Sequence, residues 1–426
     1  MEVTFILLGI SIILFLGFFA EFLFKKFDVP DILILISTGF ILGPYLLNYV
    51  HPIQISTIAP LFTTFALLFL SYDGAFNISL ESLAKGAIKS LKIMIINFTL
   101  SVTIITLIML AFQYNVWISL LTGFLLGGIC SVFTASILDK LDVDGETYSI
   151  LTLEAALTDV FSIVFAFTII EIMTINTLNF QVVFSTIASL FAVAGLIGII
   201  AGIVWIILVM HIFREHKSYM ITIAYLLLIY FLTEYLNGNG AIAALFFGLM
   251  LKNSKDITTS FSKLLYKGDD EKKQKELRDK YIIDVTSVEE KFFYSQISFL
   301  LKTFFFVYIG ILIDLSDIRA LMIGLIIAVF IYVVRTLNRH WTLDLIEFDK
   351  KLVMGIYGRG LASAAIAQVL VAMNIPYAKE ILNIVLSTIL FTILFSSISI
   401  GILKHTSSKK SKEDKKDDKK KSPSSS

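Results

Sequence analysis

Residues 152–170 read TLEAALTDVFSIVFAFTII, an apolar stretch long enough to cross a bilayer that still carries two carboxylates, Glu154 and Asp159, with Thr158 between them. A charged side chain at the centre of a membrane span costs roughly 2.5–3.5 kcal/mol on insertion scales, so such a group finds a partner or does a job. In a helix, Glu154 and Thr158 share a face and Asp159 lies a short arc further round. The stretch is a small polar cluster on a greasy rod. Asp159 lies deeper in it and is the first candidate for a working group. For Glu154 a structural ion pair or a snorkelling end is the competing role.

The rest of the chain has the same character. Its 426 residues are 57% hydrophobic with 37 Phe and a mean hydropathy of +0.85, against roughly 45–50% apolar residues in soluble domains. This is the composition of an all-α polytopic membrane protein with the lipid bilayer as its principal surroundings. A net charge of +1 gives no pull toward nucleic acid. The single cysteine, Cys130, excludes an internal disulfide. The first apolar segment starts at Val3 with neither a basic run before it nor a small-residue cleavage site ahead of Lys25, so it is expected to remain as a span. There is no HExxH and no Walker A motif, which points away from an intramembrane hydrolase and from a nucleotide partner. No enzyme activity and no cofactor are expected.

Windows of about 20 apolar residues predict about thirteen transmembrane helices. They fall at 3–24, 30–49, 57–72, 92–112, 117–138, 149–171, 183–210, 218–236, 239–252, 293–313, 318–337, 352–373 and 380–403. Charge tests the count independently. Lys25 and Lys26, Lys85, Lys89 and Lys92, Lys140, Arg214 and Lys217, the segment Lys252 to Lys291, Arg339, Lys350 and Lys351, and the tail from Lys404 follow alternate windows. The intervening loops, around His51, Gln113, Thr177, Gly238, Asp314 and Asn374, are nearly free of Lys and Arg. Cytoplasmic loops collect Lys and Arg, so the N-terminus is expected outside and the C-terminus in the cytoplasm of a cell-membrane protein. The chain divides into a first transmembrane part at 1–252, a charged cytoplasmic insertion at 253–292, a second transmembrane part at 293–404 and a disordered tail at 405–426 that mixes both charges with serine.

Further charges sit where hydrocarbon is expected. Lys302 opens LKTFFFVYIG, Arg335 lies in IYVVRTLNRH and Arg359 in YGRGLASAA; Glu234 closes its window. For Arg335 and Arg359 the cytoplasmic excess of positive charge is a competing explanation. Opposite charges on separate helices should pair, so Glu154 and Asp159 need Lys302, Arg335 or both nearby. The fifth window ends GGICSVFTASILDK, with Ser131, Thr134 and Ser136 after a glycine pair, and YGRGLASAA is equally small and glycine-rich. Two weak helices in different halves of a chain point to inverted repeats with broken helices at the midplane. A carboxylate beside hydroxyls holds either a proton or a small hard cation such as sodium or lithium. That is the logic of cation/proton exchange.

The residues also carry a resemblance. VPDILILISTGFILGP at 29–44 resembles the second-helix signature of monovalent cation:proton antiporters, and TLEAALTDV resembles their core motif, in which a Glu precedes an Asn-Asp pair. LLKTFFFVYIGILI, the Arg of YVVRTLN and GRGLASAA follow in the family's order, so the match spans all thirteen windows. The chain is most similar to archaeal and bacterial sodium/proton antiporters related to animal sodium/proton exchangers. The resemblance implies the sodium/proton antiporter fold with crossing broken helices. It makes Asp159 the carboxylate that binds sodium and protons, puts Thr158 at the Asn position, pairs Glu154 with Arg335, and gives Lys302 a basic position usually held by Arg. It also implies a homodimer in which a core domain moves against a dimerisation domain. Ser131 and Thr134 complete the expected ion site, with Arg359 as a further core charge. Two departures stand out: Thr158 replaces Asn, and the family's Thr-Asp-Pro reads Ser131-Val132-Phe133. The expectation is an electroneutral sodium/proton antiporter that uses one carboxylate by alternating access. A potassium/proton antiporter of the same superfamily and a cation channel are the alternatives.

Overall fold

A computed structural model describes residues 2–27, 30–50, 59–75, 80–138, 141, 143–175, 180–211, 219–255, 257, 288–337 and 347–421. Among these residues there are fifteen helices and no strand. In hydrocarbon a helix satisfies its own backbone hydrogen bonds, which is why apolar windows of this length become helices. In chain order they are α1 (Glu2–Phe27), α2 (Asp31–Leu42), α3 (Ala59–Ala75), α4 (Leu80–Ala111), α5 (Val116–Leu125), α6 (Ser131–Leu138), α7 (Gly145–Ile175) and α8 (Phe180–His211). They continue with α9 (Tyr219–Tyr235), α10 (Gly240–Lys252), α11 (Val288–Leu312), α12 (Ile318–Thr336), α13 (Glu347–Gly355), α14 (Leu361–Ala372) and α15 (Ala378–Lys421).

Polar residues mark several starts. Asn115 accepts from Ile118 N at 2.8 Å, Asn239 from Ile242 N at 3.1 Å and Asp317 from Ala320 N at 3.0 Å, each satisfying an orphan N–H of the first turn. Seven helices are long and apolar enough to cross a membrane, and six shorter apolar helices occupy the remaining six windows. The windows at 117–138 and 352–373 are the ones that break. Residues 126–130 separate α5 from α6, and 356–360 separate α13 from α14. Where the sequence predicts a disordered tail from 405, α15 instead runs on as helix to Lys421. Extending a formed helix needs no new nucleus. The insertion expected at 253–292 gives its last residues to α11, which starts at Val288; its stretch 258–287 lies outside the described residues.

Two groups of helices emerge from the packing. One joins α4, α5/α6, α7, α12, α13/α14 and α15; the other joins α1, α2, α3, α8, α9, α10 and α11. The first group repeats one succession, a helix, a broken helix and a helix: α4–α5/α6–α7, then α12–α13/α14–α15. Helix α14 rests on α3, and α15 on α2, so the broken helices lie where the groups meet. Outward faces are apolar, with Phe15 and Phe18 of α1 and Phe231 of α9 among the most exposed.

Candidate functional site: the crossing of two broken helices

The two breaks pass one another in opposite directions. Ser363 Oγ donates to Leu125 O at 2.6 Å, Cys130 N to Gly358 O at 2.8 Å, and a Cβ on Gly358 would lie 2.6 Å from the ring of Phe133. As numbers rise in one break, they fall in the other. Glycine at 360 is required by contact, since any Cβ there would overlap Cys130 Sγ.

Helix α7 lies along the first break and holds it residue by residue. Gly128 presses on α7 so closely that a Cβ there would be 2.7 Å from Thr158 O and 2.8 Å from Ser162 Oγ. Ile129 N donates to Thr158 Oγ1 at 3.1 Å, and Thr158 in turn donates to Ala155 O at 3.2 Å. Ser131 N donates to Asp159 Oδ2 at 3.2 Å. Thr158 and Asp159 thus accept backbone N–H groups that the break leaves without helical partners. The carboxylate also sits at the start of α6, where the helix dipole favours negative charge. Among the described residues no cation lies within ion-pairing distance of Asp159.

Glu154 is placed differently. Both of its oxygens are engaged by Arg335: Nη2 donates to Oε2 at 2.8 Å and Nη1 contacts Oε1. Asn97 Nδ2 adds a bond to Oε1 at 2.7 Å, and Arg335 Nε donates to Val353 O at 2.9 Å. Glu154 and Arg335 are 1% and 3% exposed, so the pair ties α4, α7, α12 and α13 together in the interior. A bidentate pair of this kind is the charged contact that survives burial best.

Lys302 does not join these acids. It pairs with Asp31 of α2 at 2.7 Å, inside the other helix group. Of the two bases expected near the core acids, Lys302, Arg335 or both, it is Arg335 that pairs with Glu154. Asp31, in the stretch 29–44, was the missed partner, and it is as buried as Glu154. A second acid went unnoticed: Asp73 of α3 accepts from Ser298 Oγ at 2.6 Å, one helical turn from Lys302 along α11. Arg359 stands in the second break with its guanidinium buried. Its Nη2 donates to Ser101 Oγ at 3.3 Å, while Nε and Nη1 have no partner among the described residues. Thr134, on the face of α6 that carries Ser131, is buried with its hydroxyl unpartnered.

The chemistry available is the exchange of small positive charges at a carboxylate. The family model for the transmembrane part of sodium/hydrogen exchangers matches residues 10–404. Two solved structures of the sodium proton antiporter MjNhaP1 from Methanocaldococcus jannaschii share the fold. The structure at pH 8 has 18% identity and a TM-score of 0.73, covering 95% of this chain and 98% of that one. The electron-microscopy structure has 18% identity and a TM-score of 0.69, covering 95% and 97%. A comparison with curated protein sequences gives no match. The chain therefore belongs to the sodium/hydrogen exchanger transmembrane family, as a multi-pass membrane transporter that exchanges cations for protons and not an enzyme.

Proposed function

We infer that the protein exchanges sodium, or lithium in its place, for protons at the single carboxylate of Asp159, one for one and by alternating access. One observation carries this: Asp159 meets the first break with no ion-pair partner among the described residues, while Glu154, five residues away, is fully engaged by Arg335. A carboxylate held by Ser131, and by no ion pair among the described residues, keeps oxygen lone pairs for a hard cation or a proton. Thr158, at the position before Asp159, has no titratable group. Lys302, the base that would add a second proton to the cycle, is engaged by Asp31. One acid is left to cycle. With sodium or with a proton on it, the site has the same net charge.

The family resemblance favours a homodimer in which the group holding the breaks moves against the other. The distribution of Lys and Arg favours a cell-membrane protein with its N-terminus outside and its C-terminus in the cytoplasm. The test uses purified protein in proteoliposomes, with proton flux followed by a pH dye under sodium, lithium or potassium gradients and, separately, at valinomycin-clamped potentials. An uncompensated charge is worth about 2.3 kcal/mol per 100 mV, so electroneutral exchange is recognised by rates that ignore the imposed voltage. Rates that scale with voltage overturn the one-for-one stoichiometry. Potassium driving exchange as well as sodium establishes the potassium/proton alternative, and unitary currents establish a channel.

A further inference from the structure

Many hydroxyl groups in the helices of this protein share one habit. Thr103, Thr106, Thr122, Thr168, Thr233 and Thr388 each donate to the carbonyl four residues earlier, at 2.7–2.9 Å. This is the ordinary way to hide a hydroxyl in hydrocarbon. Ser162 departs from it. It lies on α7, three residues beyond Asp159 on the same side of the helix, and is 1% exposed. Its Oγ has no partner among the described residues. The hydroxyl is turned to the first break, since a Cβ on Gly128 would stand 2.8 Å from it. Along the break, Gly128 meets Ser162, Ile129 meets Thr158 and Ser131 meets Asp159. Thr158 is committed to its two bonds, whereas Ser162 is not.

A buried hydroxyl without a partner costs about 1–3 kcal/mol, and native proteins keep one where something absent from the bare chain completes it. We propose that Ser162 is a direct oxygen ligand of the transported cation, acting with Thr134 to complete the shell around the ion held at Asp159. With the cation bound, an oxygen lone pair of Ser162 faces the ion. With a proton on Asp159, the hydroxyl has no ion to face. Ser162 therefore favours the cation over the proton and belongs to selectivity. The proposal rests on the reading of Asp159 as the exchange site.

The experiment compares the wild-type chain with Ser162→Ala and Ser162→Cys in proteoliposomes, recording half-saturating sodium and lithium, the pH profile at saturating sodium and the melting temperature. Cysteine keeps the volume, but its sulfur is a poor ligand for hard cations. Both variants should raise half-saturating sodium about tenfold, the loss expected for one contact worth about 1.4 kcal/mol, with the pH profile at saturating sodium unmoved. Sodium dependence within about twofold of wild type in both variants, with exchange intact, overturns the proposal and leaves the exchange reading standing. A normal Cys variant beside an impaired Ala variant assigns Ser162 to packing and also overturns it. A wild-type protein without any cation-driven proton flux overturns both together.

Discussion

The two breaks at the centre of the molecule are braced alike and charged oppositely. Each is held by the helix that follows it in the chain. For the first, α7 supplies Thr158 and Asp159 to the N–H groups of Ile129 and Ser131. For the second, α15 supplies Thr392, whose Oγ1 accepts from Arg359 N at 3.1 Å, and Ser396, whose Oγ donates to Gly355 O at 2.5 Å. Each break takes two such bonds from the helix that follows it, but only at the first is one of the braces an acid. The second break carries its charge on itself, as Arg359, and its braces are neutral hydroxyls. A repeated architecture therefore assigns the two halves different work. The first half brings an acid to the crossing, and the second brings the backbone that crosses it.

The largest effect follows from removing that one difference. Asp159→Asn keeps the shape and leaves an acceptor for Ser131 N, but it deletes the negative charge that Asp159 brings to the first break. Proton flux in proteoliposomes should fall to the background of empty vesicles, with a melting temperature near wild type. Substantial sodium-driven flux from the purified variant would place the exchange site elsewhere and remove the asymmetry between the breaks.

Next in size is the pair that anchors α7 behind the site. Removing one partner of a buried ion pair strands the other, at about 3–5 kcal/mol. Glu154→Gln and Arg335→Gln should each lower thermal stability by that order. The double variant should be far less unstable than the sum, because no charge is then left stranded. Simple additivity would mean that the two side chains do not depend on each other in the membrane.

How far the sequence reaches is visible in these same residues. The helices were legible because apolar windows and the alternation of basic loops are properties of short stretches. The breaks were legible as well: GGICS and YGRG lack the side chains that stabilise a continuous helix, and 126–130 and 356–360 are not helical. Glu154 and Arg335 stood out as charges in grease, and the resemblance named them as a pair. Partners are harder to read. Lys302 was seen, but Asp31, 271 positions earlier, was hidden at the start of α2, where an acid looks like an ordinary first-turn residue. Asn97, Ser101, Thr392 and Ser396 gave no signal, because one small polar residue in a membrane helix is most often bonded to its own backbone. Ser162 stands out by lacking that bond while facing the first break beside Asp159, a fact no spacing reveals. The helical course of 405–421 escaped for a different reason: composition measures the means to form a core, and a helix continued from α15 needs none.

The smallest expected effect tests whether the second break is bracing alone. Thr392→Val keeps the branched shape but removes the oxygen that accepts from Arg359 N, and it also removes the donor to Thr388 O at 2.7 Å. The carbonyl of Thr388 keeps its helical bond, so the main loss is a buried backbone N–H left without an acceptor. That loss costs about 1–3 kcal/mol. If the halves divide their work as the charges indicate, the cost appears as a lower melting temperature, and half-saturating sodium stays within about twofold of wild type, well short of the tenfold rise expected at Ser162. The opposite pattern, unchanged stability with weakened sodium dependence, would bring the second break into the ion site. Arg359 and its neighbours would then share the cation's surroundings with Asp159, and the division of labour between the two breaks would fall.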